Sequence, residues 1–115
     1  MSEVNDESIL ISIKKLIGIS PDDDAFDSDI IMHINSVFMI LNQLGVGPDE
    51  GFSIKDSTET WNDYLKEEIK IASVKSYMYL KVRMLFDPPS SSSTMEAMNR
   101  LIGELEFRLN VESGK

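Results

Sequence analysis

Apolar residues recur at steps of three and four through four stretches of the chain, the period of an amphipathic helix. No stretch alternates as a strand would. In the first, residues 6–17, Ile9, Leu10, Ile13, Leu16 and Ile17 make one face, and Gly18 suits a left-handed helix end. The acidic stretch SPDDDAFDSD, residues 20–29, reads as a loop in which Asp27 or Ser28 caps the next helix and Asp29 enters its first turn. The second helix, residues 29–44, carries Ile30, Ile31, Ile34, Val37, Phe38, Leu41 and Leu44 on one stripe, and Gly45 ends it. Met32 and Met39 fall on the opposite face. Residues 45–56, GVGPDEGFSIKD, form a loop long enough to predict a mobile or functional element, in which Phe52 and Ile54 need cover.

The third helix is predicted over residues 60–86, the longest in the chain. Trp61, Leu65, Ile69 and Ala72 share a face in its first half. Its second half is apolar nearly all round, so it is either the central helix or covered by other subunits. The turn Asp87-Pro88-Pro89 stops it, because proline cannot continue a helix. Ser93 and Glu96 are spaced as a capping box for a fourth helix, residues 94–109. There Met95, Met98, Leu101, Ile102, Leu105 and Leu109 line up, and Arg100, Glu104 and Arg108 are spaced for ion pairs. Phe107 and Val111 point away from the stripe. The expected fold is all-α: one domain over residues 1–115, a bundle of four to five helices with a long third helix and a C-terminal helix after the DPP turn. Flexible ends are expected near residues 1–5 and 111–115.

Composition narrows the function. Of 115 residues, 42% are hydrophobic and 27% charged, a globular balance. Net charge is −9, the wrong sign for gripping phosphates. The chain has no cysteine, which removes disulfides, thiol catalysis and cysteine metal sites. The start MSEVNDES lacks the basic and apolar regions of a secretory signal, and no run of about 18 apolar residues suggests a membrane span. The protein is therefore expected in the cytoplasm where it is made, without membrane contact.

Candidate chemistry is sparse. His33 is the single histidine, beside the apolar stripe, with no second histidine or cysteine to share a metal. Asp22, Asp23 and Asp24 lack the alternating oxygen ligands, central glycine and closing glutamate of a calcium loop. Gly45-Val46-Gly47-Pro48 lacks the lysine ending of a phosphate loop. No catalytic residue, metal or cofactor is expected, and the chain does not read as an enzyme.

Residues 77–110, YMYLKVRMLFDPPSSSSTMEAMNRLIGELEFRLN, resemble the small head–tail connector (adaptor, or DNA-packaging) proteins of long-tailed bacteriophages and prophages. Tyr77, Tyr79, Leu80, Lys81, Arg83, Phe86, Asp87, Pro88 and Pro89 carry the first part of that pattern. Glu96, Ala97, Met98, Ile102, Glu104, Leu105, Glu106, Arg108, Leu109 and Asn110 carry the second. The resemblance implies a structural virion protein at the head–tail junction. It implies a ring of about a dozen copies under the portal protein, assembled in the host cytoplasm after DNA packaging. Such a ring extends the DNA channel and offers a platform to a tail-completion or stopper protein, while double-stranded DNA passes without sequence-specific binding. Met32, Met39, Phe52, Ile54, Trp61, Tyr77, Tyr79, Phe107 and Val111 are the candidate subunit or partner interface. Asp87, Pro88 and Pro89 are the structural turn.

Two other readings compete. The charge permits an acidic inhibitor or DNA mimic that binds a host protein, although the acids cluster only in residues 20–29 and elsewhere interleave with lysine and arginine. A helix-turn-helix regulator would need a basic, amide-rich recognition helix, which neither the second nor the fourth helix supplies.

Overall fold

The computed structural model describes residues 7–113. Five helices form among them: α1 (Ile9–Leu16), α2 (Asp27–Gln43), α3 (Trp61–Tyr64), α4 (Glu68–Phe86) and α5 (Ser92–Ser113). The all-α reading holds. Ser8 starts α1, its side chain accepting from the Ile11 N–H at 3.2 Å, and Gly18 ends it with a left-handed φ of 87°. Helix α2 starts at Asp27, and Phe26 precedes it without a side-chain cap. Asp27 does not cap the helix as predicted: it sits in the first turn and pairs at 2.7 Å with the ammonium of Lys14. Lys14 is buried and also donates to the Pro21 carbonyl at 3.2 Å. One lysine thus holds the acidic loop against α1.

Helix α4 is the central helix. Ile71, Val74, Tyr77, Met78, Leu80 and Val82 are all buried, and α1, α2 and α5 pack around it. The apolar second half therefore finds its cover within one chain, apart from Leu85, which is half exposed. Helix α2 runs antiparallel to α4: Phe26 and His33 near its start meet Phe86 at the end of α4, with ring centroids 5.5 and 6.5 Å apart. Helix α5 returns along α4 after the Asp87-Pro88-Pro89 turn, and the Tyr77 hydroxyl donates to the Glu106 carboxylate at 2.7 Å. Both α2 and α5 therefore run opposite to α4 and parallel to each other. Their C-terminal ends meet where Asn110 and Ser113 donate to the Leu44 carbonyl, at 3.2 and 3.1 Å. Those bonds satisfy the C-terminal end of α2, and both donors lie in the part of α5 beyond its predicted end at residue 109. At its other end the cap is Ser91, which accepts from the Thr94 N–H at 3.3 Å, and not the predicted Ser93.

The predicted single helix over 60–86 is two. Thr60 and Asp63 form a reciprocal capping box on α3, and Leu65 then turns extended, with φ −157° and ψ 137°. No glycine or proline breaks the helix here; burial does. Trp61 enters the core and donates to the Ser12 hydroxyl at 2.8 Å, while Tyr64 wedges beside Phe38 and Phe52 with centroids 4.7 and 5.2 Å away. Both side chains are buried, and the chain turns extended directly after them before α4 begins. Ile69 was expected on the Trp61 face, but the break changes its phase and leaves it 88% exposed.

The predicted loop, residues 45–56, and the stretch on to residue 60 are held to the helices by hydrogen bonds. Asn35 grips the Ile54 backbone from both sides: its amide donates to the carbonyl at 2.9 Å, and its oxygen accepts from the N–H at 2.8 Å. Asn42 donates to the Pro48 carbonyl at 3.1 Å. Ile9 N–H to the Glu59 carbonyl (3.0 Å) and Trp61 N–H to the Glu7 carbonyl (3.2 Å) stitch the far end to the start of α1. Gly47 is the tightest point. It has φ +86°, and a Cβ there would lie 2.6 Å from the Tyr64 ring. Gly51 has φ +91° with open space around it. Gly47→Ala is therefore expected to destabilise by roughly 2–5 kcal/mol, backbone strain plus overpacking. Gly51→Ala carries only the strain, about 1–2 kcal/mol. Urea unfolding of the two variants compares them directly, and equal losses would mean that Tyr64 does not clamp this loop.

Candidate interaction surface

The candidate interface residues separate into two groups. Met32 (57% exposed), Met39 (66%), Phe107 (71%) and Val111 (60%) stand in solvent. They lie on the outer faces of α2 and α5, since α2 buries Ile30, Ile34, Val37, Phe38 and Leu41 inward and α5 buries Ile102 and Leu109 inward. On a 100° wheel these apolar residues point away from the buried sets of their own helices.

Ile54, Trp61 and Tyr77 are inside the chain's own core. Phe52 is half-buried against Phe38, with centroids 5.1 Å apart. Tyr79 is half-buried, and its hydroxyl accepts from Arg83 at 3.4 Å. In this fold Ile54, Trp61 and Tyr77 serve packing and offer no surface to a partner. Periodicity could not assign them inward: Tyr77 lies in a run apolar on all sides, Ile54 in a loop, and Trp61 on a short face shared with Ile69, which the fold leaves exposed. The structure adds exposed residues that the sequence reading left out: Leu16, Phe26, Ile69, Leu85 and Leu101. Leu101 and Leu16 belonged to predicted stripes. They lie at the stripes' edges, where the neighbouring helix does not reach.

The turn Asp87-Pro88-Pro89 sits as predicted at the end of α4. Asp87 departs from helical geometry with φ −151°, and its carbonyl accepts from the Arg83 guanidinium at 2.8 Å. The predicted ion pairs among Arg100, Glu104 and Arg108 do not form among the described residues. His33 packs its ring edge toward Phe86. Among the described residues no group of acids and histidine is placed to hold a metal ion, and no helix is long and apolar enough to cross a membrane.

Two buried tyrosines are held in their protonated form by the core. Burial alone pushes the Tyr64 hydroxyl well above a tyrosine's ordinary value of about 10. Burial, and then the bond to the Glu106 carboxylate, do the same for Tyr77. Both favour the protonated form in the fold, so their contribution is complete below pH about 10 and is lost as pH rises above it. Alkaline unfolding is expected to set in above that point, and Tyr64→Phe should move its onset upward. A thermal-melt series across alkaline pH reads the shift; an unchanged onset in the variant would remove Tyr64 as a cause.

A family model described as phage connector protein matches residues 9–115. No curated protein and no solved structure matches the chain.

Proposed function

The chain belongs to the phage connector protein family, and from that premise we propose that it is a head–tail connector subunit, copies of which close into a ring beneath the portal. As a family member it is a connector-type structural protein of a phage. The proposal adds the ring, the portal on one side, a tail-completion or stopper protein on the other, and a place at the head–tail junction of the virion. The observation that carries it is the pair of outward apolar faces, Met32 and Met39 on α2 and Phe107 and Val111 on α5. Closed head-to-tail rings need two different patches per subunit, and these lie on two helices. The net charge of −9 agrees with a channel wall past which DNA moves without sticking.

Co-sedimentation of the purified chain with portal rings tests the reading. The expected result is a saturable complex containing several copies of the chain per portal ring. Portal rings that sediment without it, at both low and moderate salt, would overturn the proposal.

A further inference from the structure

We infer that the outer face of α5 on one copy packs, parallel and in a defined register, on the outer face of α2 of the next copy. The inference rests on the ring reading above and names the surfaces that would meet. Four observations support it.

First, α5 carries a glycine that its own chain does not need. Gly103 is in mid-helix and exposed, and a Cβ there would meet nothing within 4 Å. Glycine at such a place costs about 1 kcal/mol relative to alanine, and close approach of another backbone is what it permits. Phe107 lies one turn further along the same face, 71% exposed.

Second, α2 offers the complementary shape. Ser36 is a small residue between Met32 and Met39, and its hydroxyl folds back onto the Met32 carbonyl at 3.0 Å. Ser36 therefore adds little bulk between two exposed, flexible thioethers. An aromatic ring fits there, since methionine adapts its shape and makes favourable sulfur–aromatic contacts.

Third, charge sets the register. Asp29 precedes Ser36 by two turns, and Arg100 precedes Phe107 by the same two turns, about 10.5 Å along each axis. With Phe107 over Ser36, a parallel pairing sets Arg100 against Asp29 and Val111 beside Met39. Both charged residues are exposed, and neither has an ion-pair partner among the described residues. The acidic loop of residues 20–26 extends the negative end of α2, which has no lysine or arginine of its own.

Fourth, the direction is right. Helices α2 and α5 already run parallel within one chain, with their C-terminal ends joined at Leu44. Rotation about an axis along the helices preserves that direction, so each copy presents a parallel α2 to its neighbour's α5.

The chain has no cysteine, which makes single-cysteine cross-linking clean. Met39→Cys and Val111→Cys chains are mixed on portal rings and treated with a short bismaleimide. The expected result is a cross-linked dimer from the mixture, with at least tenfold less from either variant alone. Asp29→Arg in the Met39→Cys chain, or Arg100→Asp in the Val111→Cys chain, should lower the mixed yield by up to about fivefold, the upper end for an exposed ion pair, and the two changes together, one in each chain, should restore it. An equally strong cross-link from Val111→Cys alone would show α5 meeting α5. Rings without any mixed cross-link would exclude contact between these two faces. Either result overturns this pairing and leaves the connector reading intact. Absence of assembly on portal rings in the unmodified chain would instead remove the premise, and the pairing with it.

Discussion

Trp61→Ala is expected to cost about 3–5 kcal/mol, the range for emptying a large aromatic site in a core. The whole domain has roughly 5–15 kcal/mol to lose, so the variant should be marginal or unfolded at moderate temperature. The size follows from what the indole joins. It is fully buried and donates to Ser12 of α1 at 2.8 Å; Ser12 in turn donates to the Ile9 carbonyl at 3.0 Å. Phe38 of α2 lies 6.5 Å away, centroid to centroid, and the Lys75 ammonium of α4 sits 5.6 Å over the ring. Removing the side chain opens a cavity where three helices meet and leaves the Ser12 hydroxyl without its donor. Trp61→Phe should lose less, about 1–3 kcal/mol, since it keeps much of the volume and drops the hydrogen bond. Denaturant unfolding followed by circular dichroism measures both. A loss under about 1 kcal/mol in Trp61→Ala would mean that the site collapses easily and that α3 is not the anchor of this fold.

That anchor was only partly legible in the sequence. Trp61 belongs to an apolar face at helical spacing, and α1, α2 and α5 follow from helical periodicity because each buries one stripe. The break between α3 and α4 was not legible. Residues 65–67, Leu-Lys-Glu, are ordinary helix formers, and only the competing demands of Trp61 and Tyr64 on one side and the α4 stripe on the other force the chain to turn. The same blindness affected residues 45–60. Glycine and proline announced a loop correctly, but they do not reveal that Asn35, nineteen residues earlier, will hold the Ile54 backbone like a neighbouring strand. Long-range side-chain capture of this kind leaves no periodic signal.

The candidate surface was legible in proportion to its simplicity. Met32, Met39, Phe107 and Val111 break the stripe of a helix whose buried face is clear, and the structure leaves all four in solvent. Trp61, Tyr77 and Ile54 gave no such contrast. Tyr77 lies in the helix that is apolar all round, where no face can be told from another. Its hydroxyl looks like a surface group, yet it is spent inside the chain on Glu106.

Replacing Met39 and Phe107 together by aspartate should do the reverse of Trp61→Ala: leave the fold almost untouched and abolish assembly. Both side chains are largely exposed, at 66% and 71%, and surface substitutions away from caps and cores usually stay within about 0.5 kcal/mol each. The melting temperature should therefore move by only a few degrees. In a subunit contact the same aspartates would be buried without partners, which is costly for a charge. The apolar anchors would be lost as well, and a central aromatic alone is worth about 2–4 kcal/mol at a contact. That is roughly a thirtyfold to thousandfold loss of affinity at each contact, repeated around a closed ring. Sedimentation with portal rings should find the wild-type chain bound and the double variant free. If the variant assembles normally, these residues are the ordinary scatter of apolar atoms on a protein surface and the contact lies elsewhere. If its melting temperature collapses, the two faces are already covered in the free chain. The pairing of an unchanged melt with a lost complex is the one outcome that only an intermolecular role for these faces produces.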